Sequence, residues 1–392
     1  MQKIDALPKP AGPYQVGFSH LNFVDESRVD SSLQANGKNR DIPIIIWYPI
    51  DEPGERFPSK LLKSRDLASL KRYPLYRLIP NSICDIDTNS YQDVPLSTKN
   101  SKFPVLVFNH GFSSYMEQNT ILMEHLTSFG YIVVSVGHPY DGVASYPDGR
   151  SIPVDLEAIK ELTKQSRANS KTFSKNIKLL ARNDLSIEEI TEYTGNYLNA
   201  SKSMNDKVVI WVDDIRFILG VLEKMESGFI QSQFTHKLSL EKGIGVFGQS
   251  YGGAASVLAC CLDNRLTCGI NIDGAMYGGM NNKYKYRRPT LYMDSDMLPG
   301  RSKYFFYFNE DDTYHIMIKG SKHLDYSDFT YIAKIWLLKL MQLFGEIDGR
   351  LMIKITNDYV LSFFDKYIKQ IDAPLLERNP YSEVVFEKRL HE

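Results

Sequence analysis

Apolar residues along the chain follow two alternating patterns. Pro104–Phe108, Tyr131–Val136, Gly243–Phe247, Cys268–Ile272, Thr290–Met293 and His315–Ile318 are short, nearly continuous apolar runs. Such runs mark strands buried on both faces. Between them, Asn119–Phe129, Lys207–Met225 and Gly253–Leu262 carry apolar residues at three- and four-residue spacing, and the first stops at Gly130. That spacing predicts helices. Strands alternating with helices predict an α/β fold around a mostly parallel central sheet, with helices on both faces. Ahead of this rhythm, Val16–Val24 and Ile42–Tyr48 predict two strands that form an antiparallel edge. Asp51–Lys102, rich in Pro, Ser and Asn, reads as a long excursion, and Asp328–Phe344 and Asn357–Gln370 predict late helices.

The rhythm breaks at Asp155–Asn205, a polar stretch of helical spacing. We expect one domain over residues 1–392, with residues 155–205 inserted as a helical cap over the C-terminal edge of the sheet. Ligands bind at that edge in open α/β folds. Within the insertion, Lys160, Lys164, Arg167, Lys171, Lys175, Lys178 and Arg182 fall on one helix face. This face is either a surface for anionic lipid or a phosphate-bearing substrate, or a solvated face paired with acids such as Asp184, Glu188, Glu189 and Glu192. The opposite face, with Ile159, Leu162, Phe173, Ile177 and Leu180, is too modestly apolar for deep insertion into a bilayer.

Composition narrows the function classes. The 392 residues include 46 basic and 47 acidic side chains, a net charge of −1, which argues against a globally basic nucleic-acid binder. No run approaches the length of a spanning helix. The first residues, Met1-Gln2-Lys3-Ile4-Asp5, lack the apolar core of a signal peptide, and Gln2 excludes N-myristoylation. The expectation is therefore cytoplasmic by default, with secretion after removal of a leader as the alternative. Cys84, Cys260, Cys261 and Cys268 form no metal-ligand or disulfide pattern and read as small buried hydrophobes.

The strongest chemical signal is Gly248-Gln249-Ser250-Tyr251-Gly252. It follows a predicted buried strand and opens a small-residue helix, the setting of the nucleophile elbow in α/β hydrolases. Ser250 is thus the candidate nucleophile. One oxyanion donor is expected from the backbone N–H of Tyr251. The second is expected from Phe112 in Asn109-His110-Gly111-Phe112, directly after a strand, with Gly111 allowing the turn. The general base should follow the last strand of the series. Among eight histidines, His323 fits this best and His315 next, while His110 and His138 either line the site mouth or are merely loop residues. For the orienting acid, Asp273, Asp294 and Asp296 all end strands after Ser250, and position alone does not separate them. No metal or organic cofactor is implied.

These motifs resemble the platelet-activating factor acetylhydrolase family, in its plasma and intracellular type II branch. The similar stretches run in order: Gly12 to Gly17, Ile42 to Pro49, Phe103 to Phe112, Gly248 to Gly253, Asn271 to Tyr277 and Gly320 to Phe329. The resemblance implies Asp273 as the acid. It also implies calcium-independent hydrolysis of short or oxidised acyl chains from the sn-2 position of phospholipids. Gln249 departs from the histidine often found there, Gly274-Ala275-Met276 lacks the expected tryptophan, and Phe112 replaces a common leucine. The last two changes fall where an acyl pocket would be lined. Two rival readings are a general carboxylesterase, polyester hydrolase or peptidase of the same fold, and a catalytically silent lipid- or partner-binding protein.

Overall fold

A computed structural model describes residues 4–279, 285–297, 299–332 and 343–391. In chain order the first elements are β1 (Gln15–Val29), β2 (Asn39–Ile50), α1 (Ser64–Leu70), β3 (Ser90–Gln92), β4 (Phe103–Asn109), α2 (Thr120–Ser128) and β5 (Ile132–Val136). A small hairpin follows, β6 (Ala144–Ser145) and β7 (Ser151–Ile152), then α3 (Leu156–Leu180), α4 (Ile187–Asn199) and α5 (Lys202–Glu226). The rest comprises β8 (Leu238–Ser239), β9 (Ile244–Gln249), α6 (Tyr251–Leu262), β10 (Leu266–Ile272), β11 (Thr290–Ser295), α7 (Lys303–Phe308), β12 (Thr313–Ile318), α8 (Phe329–Ile332), α9 (Gly349–Phe364) and β13 (Val384–Arg389).

The chain divides into two compact units, residues 1–155 with 214–244 and residues 156–213 with 245–392. In the first unit the strands run in the order β4-β5-β2-β1-β3, with β8 beside β4. β4 and β5 are parallel, while β2 pairs antiparallel with both β5 and β1. The β1–β2 pair is the antiparallel pair expected from the sequence, but β3 lies beyond it, parallel to β1. Phe103, Val105 to Phe108 and Ile132 to Val134 are buried, as continuous apolar runs require.

In the second unit the order is β9-β10-β11-β12-β13. β10, β11 and β12 are parallel, and β13 returns antiparallel to β12. The alternation predicts the first four of these strands. It misses β13, whose Val-Val-Phe-Glu-Lys-Arg sequence is half polar and follows a long helical region. The polar insertion forms two helices, α3 and α4, and α5 begins at Lys202, five residues before the predicted start. α4 is set by a capping box, in which Ser186 Oγ accepts the Glu189 N–H and Glu189 returns a bond to the Ser186 N–H. The late helix expected over Asp328–Phe344 is seen over Phe329–Ile332, and residues 333–342 of that expectation lie outside the described residues. The four cysteines are free. Cys260 and Cys268 are buried as expected, but Cys84 and Cys261 are half-exposed. Among the described residues, no helix is long and apolar enough to cross a membrane.

One charge network lies in the interior of the first unit. Arg40, in β2, donates to both oxygens of Asp214, at 3.1 and 2.6 Å, and to Asp30 at 2.8 Å. Arg28 reaches Asp214 at 2.9 Å, and His138 Nδ1 lies 2.9 Å from its other oxygen. Burial alone would raise the Asp214 carboxyl, but Arg40 and the His138 hydrogen bond outweigh it and hold it well below the usual carboxylate range. Arg40→Met would leave two buried carboxylates without their main cation. We expect a loss of about 3–5 kcal/mol of unfolding free energy, read as a lower urea midpoint. A loss below about 1 kcal/mol would show that the network does not hold this unit.

Candidate active site

β9 ends at Gln249 and α6 begins at Tyr251, so Ser250 alone makes the turn. Its backbone sits at φ 59°, ψ −123°, a region costly for a residue with a Cβ. The neighbours enforce it. The Ser250 N–H donates to Ile272 O at 2.7 Å, and the Gly253 and Ala254 N–H groups donate to Ser250 O at 3.0 and 3.3 Å. Two glycines permit the close approach. A Cβ on Gly253 would lie 2.3 Å from Asn271 Oδ1, and one on Gly274 would lie 2.2 Å from Ser250 O. Asn271 closes the facing turn, accepting the Gly274 N–H and donating to Gly274 O, both at 2.9 Å.

Asp273 follows β10 and also adopts a left-handed backbone, at φ 54°, with its N–H donating to Met293 O at 2.7 Å. His323 opens a short 3-10 turn after β12. The three side chains meet. His323 Nε2 lies 2.9 Å from Ser250 Oγ, and His323 Nδ1 lies 2.6 Å from Asp273 Oδ2. Ser250 and His323 are partly accessible, whereas Asp273 is buried. Gln249 borders the group, its amide donating to His323 O at 3.2 Å and lying 3.4 Å from His323 Nε2. The arrangement matches a hydroxyl nucleophile, a base and an orienting acid.

The other acid and base candidates are engaged elsewhere. Asp294 Oδ2 accepts the Ser302 hydroxyl at 2.9 Å and lies 3.2 Å from His315 Nε2. His315 sits inside β12, not after it. Asp296 Oδ2 accepts the Gly320 N–H at 2.9 Å. His110 and His138 are wholly buried in the first unit instead of lining a mouth. His110 Nδ1 lies 2.8 Å from Gly111 O, and burial pushes its imidazole down to about 3. His138 Nε2 faces Asn109 Oδ1 at 3.1 Å.

Tyr251 is the first residue of α6. Its ring meets Trp211 edge-on at 4.9 Å, and its hydroxyl donates to Met204 O at 2.8 Å. Phe112 lies in the loop after β4. There the Gly111 N–H donates to Gln118 Oε1 at 2.8 Å, and the Ser113 N–H donates to Asp141 O at 2.7 Å. The left-handed residue of this loop is Ser113, at φ 61°. On the basic helix face, Lys160, Lys164, Lys171, Lys175, Lys178 and Arg182 are exposed, and the Arg167 side chain is not among those described. Among the described residues, Lys160 pairs with Glu157 at 2.6 Å and Arg182 with Asp184 at 2.7 Å. Among the described residues, no group of three or more His, Cys, Asp or Glu could hold a metal ion.

Sequence reasoning missed Arg301. Its guanidinium is buried and donates to Asp273 Oδ1, the oxygen turned away from His323, which also accepts the Ser295 N–H at 2.7 Å. Burial works to raise the Asp273 carboxyl, but Arg301 and the His323 contact outweigh it and keep it below the usual carboxylate range. Pro299-Gly300-Arg301-Ser302 reads as an ordinary turn, so no local signal marks this residue.

The family model for platelet-activating factor acetylhydrolase, isoform II, matches residues 1–374. The platelet-activating factor acetylhydrolase of Cavia porcellus is 23% identical over 370 residues, covering 92% of this chain and 78% of that protein. A probable 1-alkyl-2-acetylglycerophosphocholine esterase of Arthroderma benhamiae is 23% identical over 290 residues, covering 70% of this chain and 60% of that protein. The solved ferulic acid esterase of Streptomyces cinnamoneus superposes with a TM-score of 0.72 at 22% identity, covering 97% of this chain and 99% of that one. That likeness agrees with the expected α/β-hydrolase fold, a mostly parallel mixed sheet with helices on both faces.

The steric account of the Ser250 turn is testable at Gly274. Gly274→Ala places a methyl against the Ser250 carbonyl, which is backbone and cannot rotate away. Overpacking of this kind should cost roughly 1–3 kcal/mol in urea unfolding and displace Ser250 from His323. A wild-type midpoint with full reaction of Ser250 toward a fluorophosphonate would contradict the close approach.

Proposed function

The chain belongs to the platelet-activating factor acetylhydrolase isoform II family, and we propose that it is a serine esterase that removes short or oxidised acyl chains from the sn-2 position of phospholipids through an acyl-enzyme. The observation that carries the chemistry is the pair of contacts at His323, 2.9 Å to Ser250 Oγ and 2.6 Å to Asp273 Oδ2. The substrate class draws support from the family and from the relatives named for this reaction.

In this mechanism Ser250 Oγ attacks the ester carbonyl as His323 takes its proton. Asp273 keeps the imidazole oriented and stabilises its charged form. The backbone N–H of Tyr251 holds the oxyanion of the tetrahedral intermediate. Collapse breaks the ester C–O bond, and His323 returns the proton to the departing lysophospholipid hydroxyl. Water then enters, His323 removes its proton, and a second tetrahedral collapse releases the carboxylic acid and restores Ser250. The helical insertion over residues 155–205 would sit beside the site as a cap. Its exposed lysine face would make a peripheral contact with anionic lipid.

Hydrolysis of p-nitrophenyl esters from acetate to decanoate tests the chemistry and the acyl preference together. We expect activity concentrated on the short chains, and a fall of at least about 10⁴-fold in Ser250→Ala. Equal rates in the two proteins would remove Ser250 from the mechanism. A preference for long chains would keep the mechanism but indicate a general carboxylesterase. The lipid contact is read separately, by co-sedimentation with phosphatidylcholine vesicles with and without anionic lipid. Binding should require the anionic lipid and weaken when Lys164, Lys171 and Lys175 are changed to Glu. Binding indifferent to both changes would leave the stripe as a solvated face.

A further inference from the structure

Arg301 takes no part in the proton transfers described above, yet it touches the acid that supports them. Its guanidinium is buried against Asp273 Oδ1, while Asp273 Oδ2 faces His323. A catalytic acid stabilises the imidazolium through its negative charge. A fixed cation behind the carboxylate opposes that charge and at the same time decides which oxygen is presented to the histidine.

The inserted helices hold the segment that carries Arg301. The Tyr197 hydroxyl, on α4, donates to Arg301 O at 3.3 Å. Lys303 Nζ donates to Arg182 O, just past the end of α3. Gly300, at φ 88°, lies so close to the end of α3 that a Cβ there would come within 2.3 Å of Leu180 O. Behind these contacts, Leu180, Ile190, Tyr197 and Leu198 of the insertion share one apolar cluster with Phe305 of α7.

We propose that Arg301 is a positioning residue for the Ser250 chemistry, held by α3 and α4, which fixes the Asp273 carboxylate and tempers the negative charge presented to His323. This rests on the reading of Ser250, His323 and Asp273 as the reacting set. The charged surroundings agree with the assignment. Burial works against the Arg301 cation, but Asp273 and then Asp294 outweigh it, so the guanidinium is held above its ordinary range. Asp294, at the end of β11, is itself contacted by Ser302 and by His315 of β12. The phenols of Tyr197, Tyr277 and Tyr326 also face this group. Burial raises all three, so they stay neutral over the working range. Asp325 borders Tyr326, with its Oδ2 accepting the Lys322 and Gly345 N–H groups at 2.8 and 2.7 Å. Arg301 is therefore a cation paired with Asp273 and supported by the charge of Asp294.

The sign of the effect follows. Removing the guanidinium makes protonation of the base easier, so activity should fail at a higher pH. The experiment is the pH profile of kcat/KM on p-nitrophenyl acetate for the wild type, Arg301→Met, Arg301→Lys, Tyr197→Phe and Ser250→Ala. Arg301→Met should move the acidic limb upward by on the order of one pH unit. It should also lower kcat about tenfold or more while KM stays within about twofold. Arg301→Lys, which keeps the charge, should bring the limb back toward the wild type. Tyr197→Phe, which keeps every charge but frees the Arg301 segment, should lower kcat by about threefold to tenfold. If Arg301→Met does not fold, the other two variants decide: wild-type kcat and limb in both overturn the proposal. A folded Arg301→Met with the wild-type limb overturns it as well. Activity surviving in Ser250→Ala would instead overturn the reading of the site on which the proposal rests.

Discussion

A serine held at φ 59° is a local cost of about 1–3 kcal/mol, and it persists only where the surroundings leave no other choice. Here the constraint comes from the sheet. The Ser250 N–H is taken by Ile272 O of β10, and one strand further the Asp273 N–H is taken by Met293 O of β11. In both cases the hydrogen bonding of the sheet continues one residue past the regular strand, into a residue with a left-handed backbone. The chain then turns sharply, and the side chain is left projecting beyond the strand end. The same device, used at two successive strands, sets Ser250 and Asp273 on either side of His323. The glycines at 253 and 274 follow from it, because each passes within contact distance of the turn it supports.

His138–Asp214 and His323–Asp273 each join an imidazole Nδ1 to an aspartate oxygen, at 2.9 and 2.6 Å, and their surroundings separate them. His138 and Asp214 are wholly enclosed. The second ring nitrogen of His138 meets an Asn109 oxygen, and Asp214 is fixed by two arginines. Burial is the largest influence on His138 and lowers its imidazole, and the ring is wholly buried. His323 is about one-third exposed, and its second nitrogen meets a serine hydroxyl. A base must reach both a nucleophile and incoming solvent. The environment of the second nitrogen, more than the His–Asp contact itself, distinguishes the pair proposed to react from the enclosed one.

This explains which parts of the site could be read from the chain. The Ser250 motif is local: strand, turn and helix are consecutive, and its steric requirements are written into five residues. Six of the seven basic positions were legible for the same reason, since α3 carries them, and Arg182 lies just past its end. The proposed acid was not legible from position. Asp273, Asp294 and Asp296 all lie at strand ends, and their fates depend on Arg301, on His315 with Ser302, and on Gly320, partners 8 to 28 residues away. Only the family resemblance preferred Asp273. Arg301 was invisible because a buried arginine has no periodicity, and its partner becomes its partner only after the chain has folded. β13 was lost because a half-polar edge strand lacks the apolar run that marked β9 to β12.

The helical insertion has a further physical consequence. Its apolar residues Ile177, Leu180, Ile190, Tyr197 and Leu198 form one cluster with Val257, Ala275, Met276, Tyr292 and Phe305. Val257 lies in the helix that follows Ser250, Ala275 and Met276 follow Asp273, Tyr292 lies in β11, and Phe305 follows Arg301. The insertion therefore packs against each of the segments that lead away from the strained or charged positions. A fully buried leucine or isoleucine contributes roughly 1.5–3 kcal/mol relative to exposure. Two strained residues cost about 1–3 kcal/mol each, so a few such side chains are enough to offset them. An exposed polar surface over a small apolar underside is thus sufficient for this task. It lets the outer face of α3 vary in charge without disturbing the segments that its inner face holds.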